Sequence, residues 1–208
     1  MPLIIRPERP EDYYTTEHIT QKAFWNLYNP GCNEHLLVRK LRTDPAYLPE
    51  LSRVAELDGS IVGTIMYTRS KVVEGETTHP LLTFGPLCVD PSLQKTGIGA
   101  RLMQETFQLA RDAGHKGIII FGEQGYYPRF GFVPCEHFGI TTADGKNFDA
   151  FMALELTPGS LSNVHGKFYE AEVFENLPDD EVEEFNKQFP PLEKLCLPGQ
   201  WGYEEPEA

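Results

Sequence analysis

The chain has 208 residues, 40% of them hydrophobic, and sets 31 acidic against 18 basic side chains for a formal net charge of −13. That length buries a core in one domain with a small appendage, and the charge argues against a nucleic-acid backbone as partner, since phosphates need a basic face. Four scattered cysteines (Cys32, Cys88, Cys135, Cys196) form no CxxC pair and the histidines no cluster at zinc spacing, which favours reduced thiols over a disulfide framework or a metal site.

The opening residues Met1-Pro2-Leu3-Ile4-Ile5-Arg6 lack the basic and apolar segments of a signal peptide. No apolar run approaches the length of a membrane span, so the expectation is a soluble, cytoplasmic protein without a membrane partner. Leu3 to Arg6 reads as a strand halted by Pro7 and Pro10. Residues 10–28 read as a helix with Ile19, Ala23 and Leu27 on one face, broken by Asn29-Pro30-Gly31. A second helix is predicted after Asn33, a candidate cap, with Leu36, Leu37 and Leu41 at helical spacing and a stop at Asp44-Pro45.

Arg53–Leu57 and Ile61–Arg69 flank Asp58-Gly59, a dipeptide suited to tight hairpin turns. Glu74-Gly75-Glu76 marks another turn before a strand from Leu81 to Val89. Gly85-Pro86 lies inside that strand, and proline cannot donate to a ladder, so a bulge or an edge is expected there. Residues 97–113 read as a helix with Ile98, Leu102, Leu109 and Ala113 inward, and Gly114 supplies its stop. Ile118-Ile119-Ile120-Phe121 is a short apolar run expected of a strand buried on both faces. Strand, helix, strand in close order predicts a parallel βαβ unit and an α/β class.

Residues 151–156 read as a further strand. An acidic helix is expected over residues 179–188, capped by Asp179, with Val182, Phe185 and Phe189 on one face. The tail with Trp201 and Tyr203 either packs back or trails. From Tyr169 onward twelve acids stand against two lysines, ten of the net negative charges. This is a solubilising surface, or a negative rim that draws cationic amines.

Chemistry concentrates in two phrases. Gln94-Lys95-Thr96-Gly97-Ile98-Gly99-Ala100 precedes and opens a predicted helix. Bare backbone N–H groups at a helix start hold a pyrophosphate well, and Gly97 and Gly99 remove the side chains that would block the approach. Lys95 adds a point charge at the rim. Leu102 stands where a dinucleotide fingerprint needs a third glycine, and Asp90 to Thr96 separate strand from glycine, so that reading fails. The ATP-type loop needs Gly-Lys-Ser or Gly-Lys-Thr, which is absent. The second phrase is Tyr127-Pro128-Arg129-Phe130-Gly131-Phe132.

The segment from Leu87 to Gly99, running Leu87-Cys88-Val89-Asp90-Pro91-Ser92-Leu93 into the glycine phrase, resembles the acetyl-CoA motif of the GNAT N-acetyltransferase superfamily. Tyr127 to Phe132 resembles that family's Tyr-x-x-x-Gly-Phe, and both phrases with the later Phe-Met-Ala-Leu-Glu-Leu are most similar to the YhbS-like subgroup. The resemblance covers most of residues 3–156. It implies a GNAT fold: a mixed, mostly antiparallel sheet splayed at the parallel pair, with helices on both faces. The expected division is an acetyltransferase domain over residues 1–158 and an acidic extension over 159–208.

The implied activity is acetyl transfer from acetyl-CoA, with no metal, to a primary amine on a small molecule or a peptide; a homodimer is compatible with this fold. Leu87, Cys88, Val89, Gln94 to Ala100 and Phe130 are then the coenzyme contacts, with backbone N–H groups near Val89 polarising the thioester carbonyl. Tyr127 is the expected acid for the leaving thiolate. The asparagine common in the family before this tyrosine is replaced by Gly122-Glu123-Gln124-Gly125. The general base is not readable: Glu123 is the first candidate, a solvated loop acid is its alternative, and Glu34, Glu74, Glu76 and His79 stand behind it. Cys88, in an apolar strand, reads as a small core residue rather than a nucleophile. The alternative function is an acyl-CoA sensor or interaction module that keeps the fold without the chemistry.

Overall fold

Among residues 2–201, which the computed structural model describes, nine strands form one mixed sheet. They are β1 Ile4–Arg6, β2 Arg53–Leu57, β3 Ser60–Glu74, β4 Thr77–Val89, β5 Gly117–Phe121, β6 Val133–Pro134, β7 Ile140–Thr141, β8 Phe151–Glu155 and β9 Gly166–Tyr169. The main order is β1-β2-β3-β4-β5-β8-β6, and β9 pairs with the far end of β3 and with β7. The helices are α1 Tyr13–Phe24, α2 Glu34–Leu41, α3 Ile98–Asp112 and α4 Asp179–Asn186. None of the described helices is long and apolar enough to cross a membrane.

The β2–β3 hairpin turns at Asp58-Gly59, both in the left-handed region at φ +52° and +79°. β3 and β4 run much longer than expected, because each continues as a ribbon to the turn at Glu74-Gly75-Glu76. The predicted bulge falls at Gly85-Pro86. Ile65 pairs with Leu87 and Tyr67 with Phe84, so two residues of β4 face Met66 alone. The Gly85-Pro86 peptide bond is cis.

The parallel pair meets at one register point, Leu82 opposite Ile118. Beyond it β4 continues to Val89 while β5 turns to β8, so the second half of β4 has no partner on that side. The sheet therefore opens into a wedge where β4 leaves β5. The wedge follows from the bulge, since an extra residue bends and twists the strand that carries it.

α3 covers one face of the sheet. Leu102, Met103, Phe107 and Ala110 bury against Leu82, Phe84, Ile118, Ile120 and Phe132, and each large apolar side chain removed from water is worth about 2 kcal/mol. Its buried stripe is rotated from the expected one: Leu109 is partly buried and Ala113 is exposed. α1 and α2 cover the other face, where Leu37, Val38 and Leu41 pack on Met66 and Val173.

α1 corrects the sequence reading most. It ends at Phe24, and Leu27 lies outside it, exposed. Its buried side is largely polar: Thr16, Glu17, Thr20 and Gln21 beside Ile19. Arg42 explains why, because it sits between Glu8 and Glu17 while Arg39 pairs with Glu17 at 2.9 Å. Buried charges persist where they are paired and hydrogen-bonded, and here they bind α1 to the end of α2.

The segment after Leu156 packs on this frame. Phe168 of β9 lies in the core with Val72, Leu81 and Phe151. α4 buries Val182 and Phe185, with Phe189 just beyond it, against Leu36. Asp179 is not the cap of α4. Pro178 holds that position with no side-chain bond. Likewise Asn33 precedes α2 without capping it through its side chain. Trp201 packs back, stacked on Tyr28 at 5.0 Å between centroids. Tyr203 lies outside the described residues.

Candidate active site

The glycine phrase sits at the end of β4 where the wedge opens. Asp90 closes the strand: its amide donates to Val62 O at 2.8 Å, its Oδ1 accepts from Ser92 N and Ser92 Oγ, and its Oδ2 pairs with Lys22 of α1 at 2.6 Å. These contacts hold its carboxyl near pKa 2 against the opposing effect of burial. The chain then crosses a short 3-10 turn, Pro91–Leu93, and Gln94 Nε2 returns to Val89 O at 3.4 Å. Gln94 thus ties the loop to the strand, a structural duty that its place in the motif did not reveal.

Lys95 (φ +63°) and Gly97 (φ +93°) both take left-handed conformations. Such turns aim successive N–H groups inward, and α3 starts at once, with Arg101 N donating the first helical bond to Gly97 O at 3.0 Å. The amides of residues 98–100 precede that bond and have no partner within the helix. A Cβ on Gly97 would meet nothing within 4 Å, so its glycine serves the backbone angle and leaves open space. A Cβ on Gly99 would instead lie 3.3 Å from the Tyr126 hydroxyl and 3.6 Å from Val89 Cγ2. Ile98 is buried in the core, and Ala100 is partly buried. The cradle suits the pyrophosphate of a coenzyme A.

On the opposite lip of the wedge stands the short helix Tyr127–Phe130. Tyr127 packs between Phe84 of β4, Tyr126 and Phe132, at centroid separations of 6.0, 5.2 and 5.6 Å. Burial, with smaller effects of Tyr126 and Tyr28, pushes its phenol above the usual value, so it stays protonated through the working pH range. Gly122, where β5 ends, is held to the Tyr127 ring: a Cβ there would come within 2.4 Å of it. Phe130 packs partly buried on Tyr126 at 5.4 Å, and Phe132 is core.

The remaining candidates separate clearly. Cys88 is buried against Thr20 of α1 at 3.3 Å, and burial lifts its thiol to about 12, which leaves it a packing residue. Leu87 and Val89 are partly buried on the other side of the strand, against the α3 core. Glu123 is exposed, and its Oε1 accepts from Gly125 N at 3.2 Å. Glu34 begins α2 in a partly buried position, and burial raises its carboxyl above the usual range. Its charge raises the phenol of Tyr28 and the thiols of Cys32 and Cys88, in each case as a smaller effect than burial.

Glu34 also lines a cavity of about 330 Å³. The connection between α1 and α2 supplies one wall, including Tyr28, Cys32 and Glu34; α4 and the following strap supply the other through Asp179, Glu183 and Lys194. Lys194 is itself paired with Glu183. This cavity was not legible in the sequence, because its two walls lie at opposite ends of the chain.

Residues 49–134 match the family described as the acetyltransferase (GNAT) domain. The uncharacterized N-acetyltransferase YjhQ of Escherichia coli K12 is 38% identical over 100 residues, 48% of this chain and 55% of YjhQ, so the chain spans about half the length of that relative. YhbS of Escherichia coli, solved in complex with CoA, superposes with a TM-score of 0.71 at 24% identity, covering 85% of this chain and 93% of that one. A GNAT family acetyltransferase from Brucella melitensis, solved with acetyl-CoA, superposes at 0.66 with 29% identity over 83% of this chain and 98% of its own. The fold is the GNAT fold, in keeping with the wedge and the loop.

Proposed function

From a chain that carries a GNAT acetyltransferase domain, we infer an enzyme that transfers an acetyl group from acetyl-CoA to a primary amine. One observation carries the reading: the left-handed turn at Lys95 and Gly97 heads α3 on one lip of the β4–β5 wedge, and the protonated phenol of Tyr127 stands on the other. The YhbS and Brucella proteins, solved with CoA and acetyl-CoA, support the same cosubstrate.

Amides from Gly97 to Ala100 hold the pyrophosphate, with Lys95 at the rim and Phe130 beside the pantetheine. Backbone N–H groups near Val89 polarise the thioester carbonyl. The amine nitrogen attacks the carbonyl carbon directly, the C–N bond forms and the C–S bond breaks. The departing sulfur takes the phenol proton of Tyr127, and a proton from the acylated nitrogen restores the phenol. Positioning supplies most of the acceleration. Residues 1–158 hold this machinery, and the extension from residue 159 completes the acceptor side.

Calorimetric titration with acetyl-CoA, coenzyme A and NADH tests the reading, followed by thiol release in the presence of primary amines. Binding of both coenzymes A, none of NADH, and amine-dependent thiol release are expected. Coenzyme binding without transfer to any amine would instead leave an acyl-CoA sensor.

A further inference from the structure

We propose that a polar strip on the face of the sheet turned away from α3 holds the far ammonium of a linear diamine acceptor. Glu170 is its counter-charge, and the hydroxyls of Ser70 and Thr83 accept its hydrogen bonds. The inference rests on the acetyl-transfer reading above, but Glu170 belongs to the extension from residue 159, outside the shared acetyltransferase domain.

Strand pairing brings the hydroxyls together. Thr68 lies opposite Thr83, and Ser70 opposite Leu81, in the β3–β4 ladder. Residues two apart on a strand share a face, and paired residues have Cβ atoms about 5 Å apart, so Thr68, Ser70 and Thr83 form one triangle. Their face is the one turned from α3: Leu81 and Val72 pack there with Phe168 and Phe151, whereas Leu82 and Phe84 pack under α3. All three residues are buried, and none of the three hydroxyl oxygens has a hydrogen-bond partner among the described residues. A buried hydroxyl left unmet costs about 1–3 kcal/mol. Three side by side point to a polar ligand rather than to packing.

The carboxylate arrives from β9. Val72 pairs with Phe168 and Lys71 with Tyr169, so the next step of this antiparallel ladder sets Glu170 beside Ser70, on the face of Phe168. The cations of β3 alternate to the opposite face: Arg69 donates to Pro45 O, and Lys71 lies over the Tyr169 ring at 5.9 Å. Glu170 therefore has no ion pair among the described residues. Burial first, and Glu175 second, push its carboxyl up to about 7, and a cation brought to it restores the charged form.

The strip adjoins the reacting centre. Thr83 follows Leu82, the point where β4 pairs with β5, so the triangle lies where the wedge begins to open. Phe84, the next residue, meets the Tyr127 ring at 6.0 Å between centroids. Phe121, at the wedge end of β5, is 47% exposed, stacked on Phe148 at 5.9 Å and set against Phe168 at 6.1 Å. Phe168 precedes Glu170 by two residues, so rings and carboxylate line one face. An ammonium has three N–H donors, and Glu170, Ser70 and Thr83 supply three acceptors. Methylene groups lie on the exposed rings and carry the chain to the wedge. The far ammonium is not consumed: bond making stays at the near nitrogen, as above.

The test compares putrescine and cadaverine with butylamine and pentylamine on the full-length protein. Each is an acceptor in thiol-release assays and, with coenzyme A present, a ligand in calorimetry. The wild type should prefer the diamines by roughly 10-fold in kcat/KM, expressed in KM. Glu170→Gln should remove that preference and the diamine binding, with acetyl-CoA affinity held. Thr83→Val deletes one hydroxyl at nearly constant shape. It should narrow the preference several-fold without lowering the denaturation midpoint, since an unmet buried hydroxyl goes with the ligand contact. A lowered midpoint with an unchanged preference would instead make the hydroxyls structural and overturn the proposal. A wild type that treats diamines and monoamines alike, or a preference that survives Glu170→Gln, also overturns it while the transferase reading stands. If no amine is acetylated, the transferase reading fails and calorimetry decides the site: diamine binding abolished by Glu170→Gln upholds it, and no diamine binding removes it.

Discussion

The ring of Tyr127 occupies the space that a side chain on residue 122 would need: a Cβ there would lie 2.4 Å from Cε2 and 2.5 Å from Cδ2. Gly122 is therefore the seat of the phenol, at the point where β5 ends and the chain turns toward the tyrosine helix. Gly122→Ala forces the ring or the strand end to move. Overpacking of this kind costs typically about 1–3 kcal/mol. The expected outcome is a denaturation midpoint lowered accordingly and a kcat reduced by roughly 10-fold, as for a misplaced catalytic group, with acetyl-CoA affinity close to wild type. An unchanged kcat in a folded Gly122→Ala protein would show that the phenol need not sit where it does.

Tyr127→Phe removes the proton and keeps the ring packed against Phe84 and Phe132. A positioned acid contributes about 100-fold or more, so kcat should fall by that order while the Kd for acetyl-CoA holds. The wild-type profile carries a further mark. Because burial raises the phenol above its usual value, the neutral donor persists on the alkaline side, and kcat should show no loss at the pH where a free tyrosine ionises. Stopped assays across the alkaline range check it; a fall centred on the ordinary phenol pKa contradicts the assignment.

Much of this was legible in the sequence because it is set locally. Asp58-Gly59 makes its turn, Gly85-Pro86 its bulge and residues 118–120 their buried strand, with Phe121 exposed at its end, through backbone chemistry that a few neighbours decide. What was hidden depends on distant partners. Thr16 and Glu17 are inside because Arg39 and Arg42 come to meet them, 22 and 25 positions away for Glu17, and Gln21 donates to Asn186 of α4. Periodicity sought apolar residues and found Ala23 and Leu27 instead. The cavity that Glu34 lines requires α4, and the clash that makes Gly122 a glycine requires the tertiary position of the Tyr127 ring. The strands β6, β7 and β9 have two to four residues each, too short for a period to register.

Gly97 gives a prediction in which angle and space separate. Its φ of +93° disfavours any side chain, yet a Cβ there meets no protein atom within 4 Å. Gly97→Ala should cost about 1 kcal/mol of stability through the backbone. Gly97→Val adds bulk in the space that the pyrophosphate occupies on the proposed reading. It should weaken acetyl-CoA binding by more than about 10-fold beyond the alanine variant, or about 1.4 kcal/mol. Equal affinities for the two variants, by calorimetry on folded protein, would place the phosphates elsewhere.

Asn26 carries the last prediction, because it staples the α1–α2 connection to the strap that follows α4. Its Oδ1 accepts from Gly31 N at 2.8 Å and Leu195 N at 3.1 Å, its Nδ2 donates to Glu193 O at 2.9 Å, and its carbonyl accepts from Gln200 Nε2 at 2.9 Å. The residue is itself left-handed, at φ +59°, a conformation asparagine tolerates better than alanine. Asn26→Ala therefore combines strain with lost bonds, whereas Asn26→Gly relieves the strain and loses the same bonds. Each side-chain bond is worth about 1 kcal/mol, so both variants should lose stability and the alanine one more. Both should raise KM for the amine several-fold, since the connection bears Tyr28 and Glu34, and leave acetyl-CoA affinity unmoved, since the glycine loop lies on β4 and α3. If acceptor KM stays constant while stability falls in both, the strap holds the fold together without shaping the acceptor site.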